Sequence, residues 1–314
     1  MGSSVVHKLL IYHDDAELFK EILSKRLPLL EIRSAARPEE AMGFIEGAEI
    51  ILAWEIPDEL LKRAKHLAWF ASVAAGNEHL VRNPNLPETV LFTKTTIYGE
   101  MMAEYIFAYL LCSIRDTGKY LKDQQARIWD PQKPGRLRGK AMGILGLGAV
   151  GKKIAKRGKQ FGMKVLGVKR TPEPIEHVDQ VFGPNELEKM IPLVDYLVVV
   201  LPLTPETDHL IGERELHLIK DGAILFNVGR GKTIDQEALI KHLKTGRIKA
   251  VLDVFEEEPL PLESELWEME NVTLTPHVSG ISLPEEICDE FIQNYERWAR
   301  GKTLTNQVDR AKGY

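Results

Sequence analysis

Cysteine is nearly missing: the 314 residues hold two, Cys112 and Cys288. Neither sits in a Cys-x-x-Cys pair or beside a histidine cluster, so a metal framework is excluded and no metal is expected. Two buried, reduced thiols are the expectation. Long apolar runs are lacking too, and none approaches the ~20 residues that a membrane span needs. Met1–His13 has no apolar stretch of the signal-peptide kind. A cytoplasmic protein with no membrane partner is expected from these absences. Nor is there an excess of positive charge. The formal net charge is −5 and the pI about 6.0, whereas a nucleic-acid binder usually carries a basic stripe. No nucleic-acid partner is expected. Internal repeats and low-complexity tracts are absent.

What is there is an ordinary globular balance, 44% hydrophobic and 28% charged. At ~100–200 residues per domain, the length predicts two domains. The first third alternates short apolar runs with helix-like segments. Residues 8–12, 29–32, 49–53, 67–72 and 90–93 read as strands; 16–27, 38–46 and 57–64 carry helical spacing. Such alternation predicts a parallel sheet with helices on both faces. Residues 99–115 read as a helix that is apolar on nearly every side and therefore buried. Residues 129–139, rich in Pro, Gly and basic residues, read as a loop. A second alternation follows, with strands at 142–145, 164–168, 196–201, 223–228, 249–254 and 272–275.

Ser282 opens a last helix, with Glu285 spaced for a capping box. Its apolar positions 287, 288, 291, 295 and 298 form one stripe. The helix reads as the return crossing to the first domain. The expected fold is α/β: two Rossmann-like or flavodoxin-like domains, each a parallel sheet with helices on both faces. The boundaries expected are 1–97 plus 287–314 for a first, flavodoxin-like domain and 98–286 for an inserted, Rossmann-like one. Two connecting helices would serve as a hinge.

Gly146-Leu-Gly148-Ala-Val-Gly151 matches the GxGxxG pattern. Alone it also fits a plain strand-turn-helix or a methyltransferase-type turn. Here it follows a strand, opens the helical stretch 152–161 and is completed by strand 164–168, the setting a dinucleotide site requires. Gly146 permits the tight turn, Gly148 admits the pyrophosphate, and Gly151 lets helix and strand pack closely. The pyrophosphate then meets free N–H groups at a helix N-terminus. An NAD site usually ends the second strand on Asp or Glu. This chain has Lys169-Arg170-Thr171 instead, which suits a 2′-phosphate, the alternative being solvated surface cations. NADP is therefore the preferred cofactor, with NAD also possible.

Three segments follow later strands: Phe226-Asn-Val-Gly-Arg230-Gly, Asp253-Val-Phe-Glu-Glu-Glu258-Pro and Thr275-Pro-His277-Val-Ser-Gly280. Ligands of open α/β sheets bind outside the carboxyl ends of strands, so Arg230, Asp253, Glu258 and His277 can converge. With these segments the chain resembles the D-isomer-specific 2-hydroxyacid dehydrogenase family, in its glyoxylate/hydroxypyruvate reductase-like branch. Ser72-Val-Ala-Ala-Gly76-Asn, Met102-Ala-Glu104, Gly146–Gly151 and Pro202-Leu-Thr-Pro-Glu-Thr207 extend the likeness along nearly the whole chain.

The resemblance implies hydride transfer between NAD(P)H and a small 2-oxo acid, giving a D-2-hydroxy acid. His277 would be the acid/base, since imidazole titrates near neutrality. Glu258 would orient it and stabilise its protonated form. Arg230 would grip the substrate carboxylate and polarise the carbonyl. Ala75 and Gly76 would hold the carboxylate through backbone amides, and Trp54 would line the substrate cleft, unless it packs in the core. Ala149, Val150, Leu201, Pro202, Thr207, Val228, Gly229, Ser279 and Gly280 join the glycines, Lys169, Arg170, Thr171, Arg230 and His277 as expected cofactor contacts. Asp253 would face the nicotinamide carboxamide. A homodimer is expected, with Trp129 either reaching across it or packing locally. Two alternatives share the fold: a dinucleotide-sensing, corepressor-like binding protein and a formate- or phosphite-type dehydrogenase.

Overall fold

The computed structural model describes residues 6–281 and 283–313. Tyr98–Ile281 forms one compact unit; the chain before and after it forms the other. The opening segment alternates β1 (Lys8–Tyr12), α1 (Ala16–Arg26), β2 (Glu31–Ala35), α2 (Pro38–Ala41), β3 (Ile50–Ala53), α3 (Asp58–Arg63), β4 (Trp69–Ser72), α4 (Glu78–Val81) and β5 (Leu91–Thr93). The five strands are all parallel, in the order β2-β1-β3-β4-β5.

The inserted unit holds α5 (Gly99–Ile114), α6 (Thr117–Ala126), β6 (Ala141–Leu145), α7 (Ala149–Gln160), β7 (Lys164–Val168), β8 (Gln180–Phe182), α8 (Leu187–Met190), β9 (Tyr196–Val199), α9 (Glu213–Leu218), β10 (Ile224–Asn227), α10 (Gln236–Lys244), β11 (Lys249–Leu252) and β12 (Val272–Leu274). Its seven strands are also wholly parallel, ordered β12-β11-β10-β9-β6-β7-β8. The order reverses at β6, which lies between β9 and β7, and open α/β sheets bind ligands outside the carboxyl ends of the strands at such a reversal. After this unit, α11 (Pro284–Ala299) returns the chain to the first. Ser282, expected to cap it, lies outside the described residues.

The strand sequences explain the burial. Parallel strands covered on both faces read as continuous apolar runs rather than alternating ones. In β1, Leu9, Leu10 and Ile11 are all fully buried. Leu10 joins Ile51 and Phe70 on one face of its sheet, while Leu9 and Ile11 join Ile50 and Trp69 on the other. β9 divides likewise, Leu197 and Val199 to one face and Tyr196 and Val198 to the other. The stripe expected on α11 packs as such: Ile287, Cys288 and Phe291 are buried, and Phe291 stacks on Trp69 at 5.0 Å.

Local expectations differ from the fold in several places. The β2 strand begins at Glu31, in register with Lys8, because Leu29 belongs to the preceding turn and stays exposed. Helix α2 stops at Ala41, before Gly43, whose backbone freedom makes a helix interior costly. Helix α6 and strand β8 have no counterpart in the sequence reading. α6 buries none of its residues and so carries no periodic stripe, and β8 is a three-residue edge strand. Helix α5 buries Met102, Ala103, Ile106, Phe107 and Leu110 but not every side; Cys112 lies off that face and is exposed, against the expectation of two buried thiols. Cys288 is buried, and burial pushes its thiol up to about 12. Among the described residues no helix is long and apolar enough to cross a membrane, and no His/Cys/Asp/Glu group is placed to hold a metal.

Candidate active site

The glycine turn joins β6 to α7. Gly146 has φ +105°, and a Cβ there would stand 2.6 Å from the Val200 carbonyl oxygen. A Cβ on Gly151 would stand 2.0 Å from the Gly146 carbonyl oxygen, so only glycine lets the first turn of α7 cross the strand end this closely. Gly148, the N-cap of α7, has open space around its missing side chain. The turn is thus packed tightly behind and open in front, with the free N–H groups of a 12-residue helix at Ala149, Val150 and Gly151. This is the shape a pyrophosphate requires.

Beyond β7, Lys169 forms an ion pair with Glu173, and Arg170 lies 3.8 Å from Glu206. Arg170 and Thr171 are exposed. Glu206 belongs to the turn after β9 that carries Leu201 and Pro202. Thr207 closes that turn: its hydroxyl donates to the Pro202 carbonyl at 2.7 Å and accepts from the Thr204 amide at 2.8 Å.

Arg230 follows β10. The Asn227 side chain, 2% exposed, fastens the loop by donating to the Arg230 carbonyl and accepting from the Gly229 amide. The Thr233 hydroxyl donates to the same carbonyl at 2.6 Å. Val228 and Gly229 are buried, whereas Arg230 is half-buried and its Nη1 donates to the Gly229 carbonyl at 2.8 Å. Asn227 and Thr233 were missed by the sequence reading; a polar residue ending an otherwise apolar strand was the available signal.

The acidic run after β11 divides by geometry. Glu258 takes the Phe255 amide on one oxygen, at 3.0 Å, and meets His277 Nδ1 with the other at 2.7 Å. Glu256 instead accepts from the Gln236 amide at 2.8 Å, at the head of α10. Glu257 is exposed. A carboxylate can only accept, so the proton of that contact sits on Nδ1. Among the described residues Nε2 has no hydrogen-bond partner.

His277 itself has φ +54°, a left-handed conformation that a non-glycine residue rarely adopts. Asp253 holds it there. This carboxylate is fully buried and accepts from the Thr275 hydroxyl at 2.6 Å, the Val278 amide at 2.8 Å and the Ser279 amide at 2.9 Å. The turn 275–279 is therefore wrapped around Asp253, with Ser279 buried and Gly280 against Tyr98 and Met102. Because β10, β11 and β12 are neighbours, Arg230, Glu258 and His277 leave the sheet at adjacent strand ends.

In the other unit, Ala75 and Gly76 lie in the loop between β4 and α4. The Asn77 side chain donates to the Ala74 carbonyl at 3.1 Å and holds that loop. Trp54, just past β3, is 47% exposed and meets His79 edge-on at 6.2 Å, so it is not a core residue.

Residues 107–279 match the family model described as D-isomer specific 2-hydroxyacid dehydrogenase, NAD binding domain. The glyoxylate/hydroxypyruvate reductase A of Yersinia enterocolitica is 30% identical over 316 residues, covering 98% of this chain and 99% of the relative. A D-isomer specific 2-hydroxyacid dehydrogenase family protein from Aeromonas salmonicida superposes with a TM-score of 0.90 at 38% identity, covering 98% of this chain and all of that one. The D-isomer specific 2-hydroxyacid dehydrogenase of Xanthobacter autotrophicus, solved with NADPH and MES, gives a TM-score of 0.92 at 33% identity over 99% of this chain and all of that one. Likeness along the whole chain, on top of a fitting glycine turn, means that this chain is an oxidoreductase belonging to the D-isomer specific 2-hydroxyacid dehydrogenase family.

Proposed function

We propose that the chain reduces small 2-oxo acids of the glyoxylate and hydroxypyruvate kind to D-2-hydroxy acids, using NADPH in preference to NADH. The observation that carries this is the Glu258–His277 pair on strand ends adjacent to that of Arg230. The Yersinia relative's name supports the substrate class, and the Xanthobacter complex with NADPH supports the cofactor.

When bound, a nicotinamide dinucleotide would supply the hydride. Gly146, Gly148 and Gly151 would seat its pyrophosphate on the amides opening α7, beside Leu201 and Pro202. Lys169, Arg170 and Thr171 would read its 2′-phosphate. Thr207, Val228, Gly229, Ser279 and Gly280 would frame the site mainly through backbone and shape. Asp253 would hold the turn that carries His277 and could turn one carboxylate edge toward the carboxamide. Arg230 would bind the substrate carboxylate and polarise the carbonyl with its guanidinium fork. His277 would donate a proton from Nε2 to the carbonyl oxygen as negative charge develops there. Glu258 would stabilise the imidazolium before transfer and orient the ring throughout. For Ala75, Gly76 and Trp54, the family resemblance supports substrate contact. We also infer a homodimer.

The test is a kinetic panel of glyoxylate, hydroxypyruvate, pyruvate and phenylpyruvate with NADPH and NADH, followed by chiral analysis of the product. Turnover of the first two to the D-acid, or to glycolate, with the higher kcat/KM on NADPH is expected. Absence of turnover with every 2-oxo acid would overturn the proposal and favour a binding protein; oxidation of formate or phosphite instead would favour the other alternative.

A further inference from the structure

Helix α5 holds the turn that carries His277 at both of its ends. At the far end, Gly280 packs against Tyr98 and Met102, and the Ile281 amide lies 3.2 Å from Met101 Sδ. At the near end, the Tyr105 hydroxyl lies 2.5 Å from the Thr275 hydroxyl oxygen. The direction of that bond follows from its neighbours. Thr275 spends its proton on Asp253, at 2.6 Å, so its oxygen accepts and Tyr105 donates. Burial pushes the Tyr105 phenol well above the usual range, so it keeps its proton and remains a donor. The ring is fixed in turn by Tyr109, 4.6 Å away.

We propose that Tyr105 is a positioning residue for the reaction, setting the angle of His277 through Thr275 and Asp253. The chain of contacts is short and largely buried: Tyr105 to Thr275, Thr275 to Asp253, and Asp253 to the amides of Val278 and Ser279 on the far side of His277. The His277 amide also donates to the Asp253 carbonyl at 2.9 Å and to the Thr275 carbonyl at 3.1 Å. A left-handed histidine persists only where its surroundings over-determine it. Removing the phenol proton donor leaves Thr275, a residue 9% exposed, with the bond it donates to Asp253 but without the one it accepts. The threonine then loses its tie to α5, and the donor that Asp253 keeps is less firmly anchored. His277 keeps its chemistry but spends less time at the angle that serves the reacting oxygen. Position alone at a catalytic group is worth much of a barrier.

The proposal rests on His277 being the proton donor, and the experiment separates the two. Tyr105→Phe keeps the ring and removes one oxygen. It is expected to lower kcat about fivefold, the equivalent of about 1 kcal/mol, while KM for substrate and cofactor and the thermal midpoint stay near wild type. Thr275→Ser keeps the hydroxyl and should retain activity; Thr275→Val should not. In the Thr275→Val background, adding Tyr105→Phe should cost nothing further, because both act through one bond. Wild-type kcat in Tyr105→Phe, or equal losses from Tyr105→Phe with and without the Thr275 hydroxyl, would overturn the proposal. His277→Ala, measured alongside, tests the underlying assignment: near-normal turnover there defeats the reading of His277, whereas its collapse beside an unaffected Tyr105→Phe defeats only the role of Tyr105.

Discussion

His277 gives one ring nitrogen to Glu258 from a left-handed backbone that a non-glycine residue rarely adopts, and the proposed proton transfer would use the other. His277→Ala is expected to lower kcat by ~10²–10⁴-fold with a smaller effect on KM; turnover within a few-fold of wild type would refute the assignment. Glu258→Gln keeps the shape and removes the charge. The amide can still hold the ring but brings no negative charge beside it, so kcat should fall with little change in KM, and a wild-type kcat would show that the carboxylate does not serve the histidine. Both groups are over a third exposed, so solvent screening keeps the loss modest. Arg230→Ala should raise KM for the 2-oxo acid as well as lower kcat, since in the proposed reaction the guanidinium would serve both carboxylate and carbonyl. Lys169 and Arg170 belong to the same scale. Their carboxylate neighbours Glu173 and Glu206 compete with a phosphate, and exposure weakens each contact. One charge-assisted bond at the low end of ~1.5 kcal/mol gives about a tenfold preference for NADPH. Lys169→Asp with Arg170→Ala should abolish or invert it, read as the ratio of kcat/KM for the two cofactors; an unchanged ratio would show that these residues do not read the phosphate.

Elements were legible in the sequence where burial made them so. Strands covered on both faces, such as Ile50–Ala53 and Tyr196–Val199, announce themselves as apolar runs. The helix Thr117–Ala126 does not, because it packs no residue in the core. Site residues divide the same way. Arg230, Glu258 and His277 stand in motifs that mark strand ends. Asn227, Thr275 and Tyr105 act by holding those segments, and their types recur too widely to be singled out without neighbours. The glycine turn is the element on which the proposed cofactor binding depends. In Gly151→Ala the new carbon would meet the Gly146 carbonyl oxygen at 2.0 Å, backbone against backbone, so α7 must move. Overpacking of this kind costs ~1–3 kcal/mol. A lower thermal midpoint with severely weakened NADPH binding, by fluorescence titration, is expected; wild-type affinity would refute the tight-turn argument. Helix α7 is also tied to α5, Glu100 accepting from Lys153 at 2.8 Å and Arg157 at 2.9 Å. The Lys153 hydrogen bond holds the Glu100 carboxyl below its usual range. A group whose pKa falls on folding stabilises above its unfolded value and ceases to do so as pH drops through the folded one. The small loss of thermal midpoint in Glu100→Gln should therefore be seen at neutral pH and fade in acid, as the pH falls through the lowered carboxyl range; a loss that persists once the carboxyl is protonated would assign the effect to packing.

At the scale of the whole molecule, the homodimer proposed above draws its support from the surface around α6. The helix buries none of its own residues. Leu121 is 57% exposed, and beyond the helix Ile128 is 55% and Trp129 96% exposed. A large apolar side chain left in open water forgoes ~1.5–3 kcal/mol of burial, so three such residues on and just beyond one helix motivate an interaction surface here. A second copy of the chain is the partner inferred, since a two-fold contact lets the same patch serve both sides and symmetric dimers are the commonest assembly. Light scattering should then give twice the 35.5 kDa chain mass at micromolar concentration. Trp129→Ser should weaken the dimer, raising the concentration at which monomer appears by roughly ten- to a hundredfold for ~1.5–3 kcal/mol lost per contact. If Trp129 also reaches the partner's substrate site, KM should rise in this variant even at concentrations where it remains dimeric; unchanged KM would confine its role to the interface. A wild-type chain that scatters as a monomer across that range would refute the dimer and leave the α6 surface to a different protein.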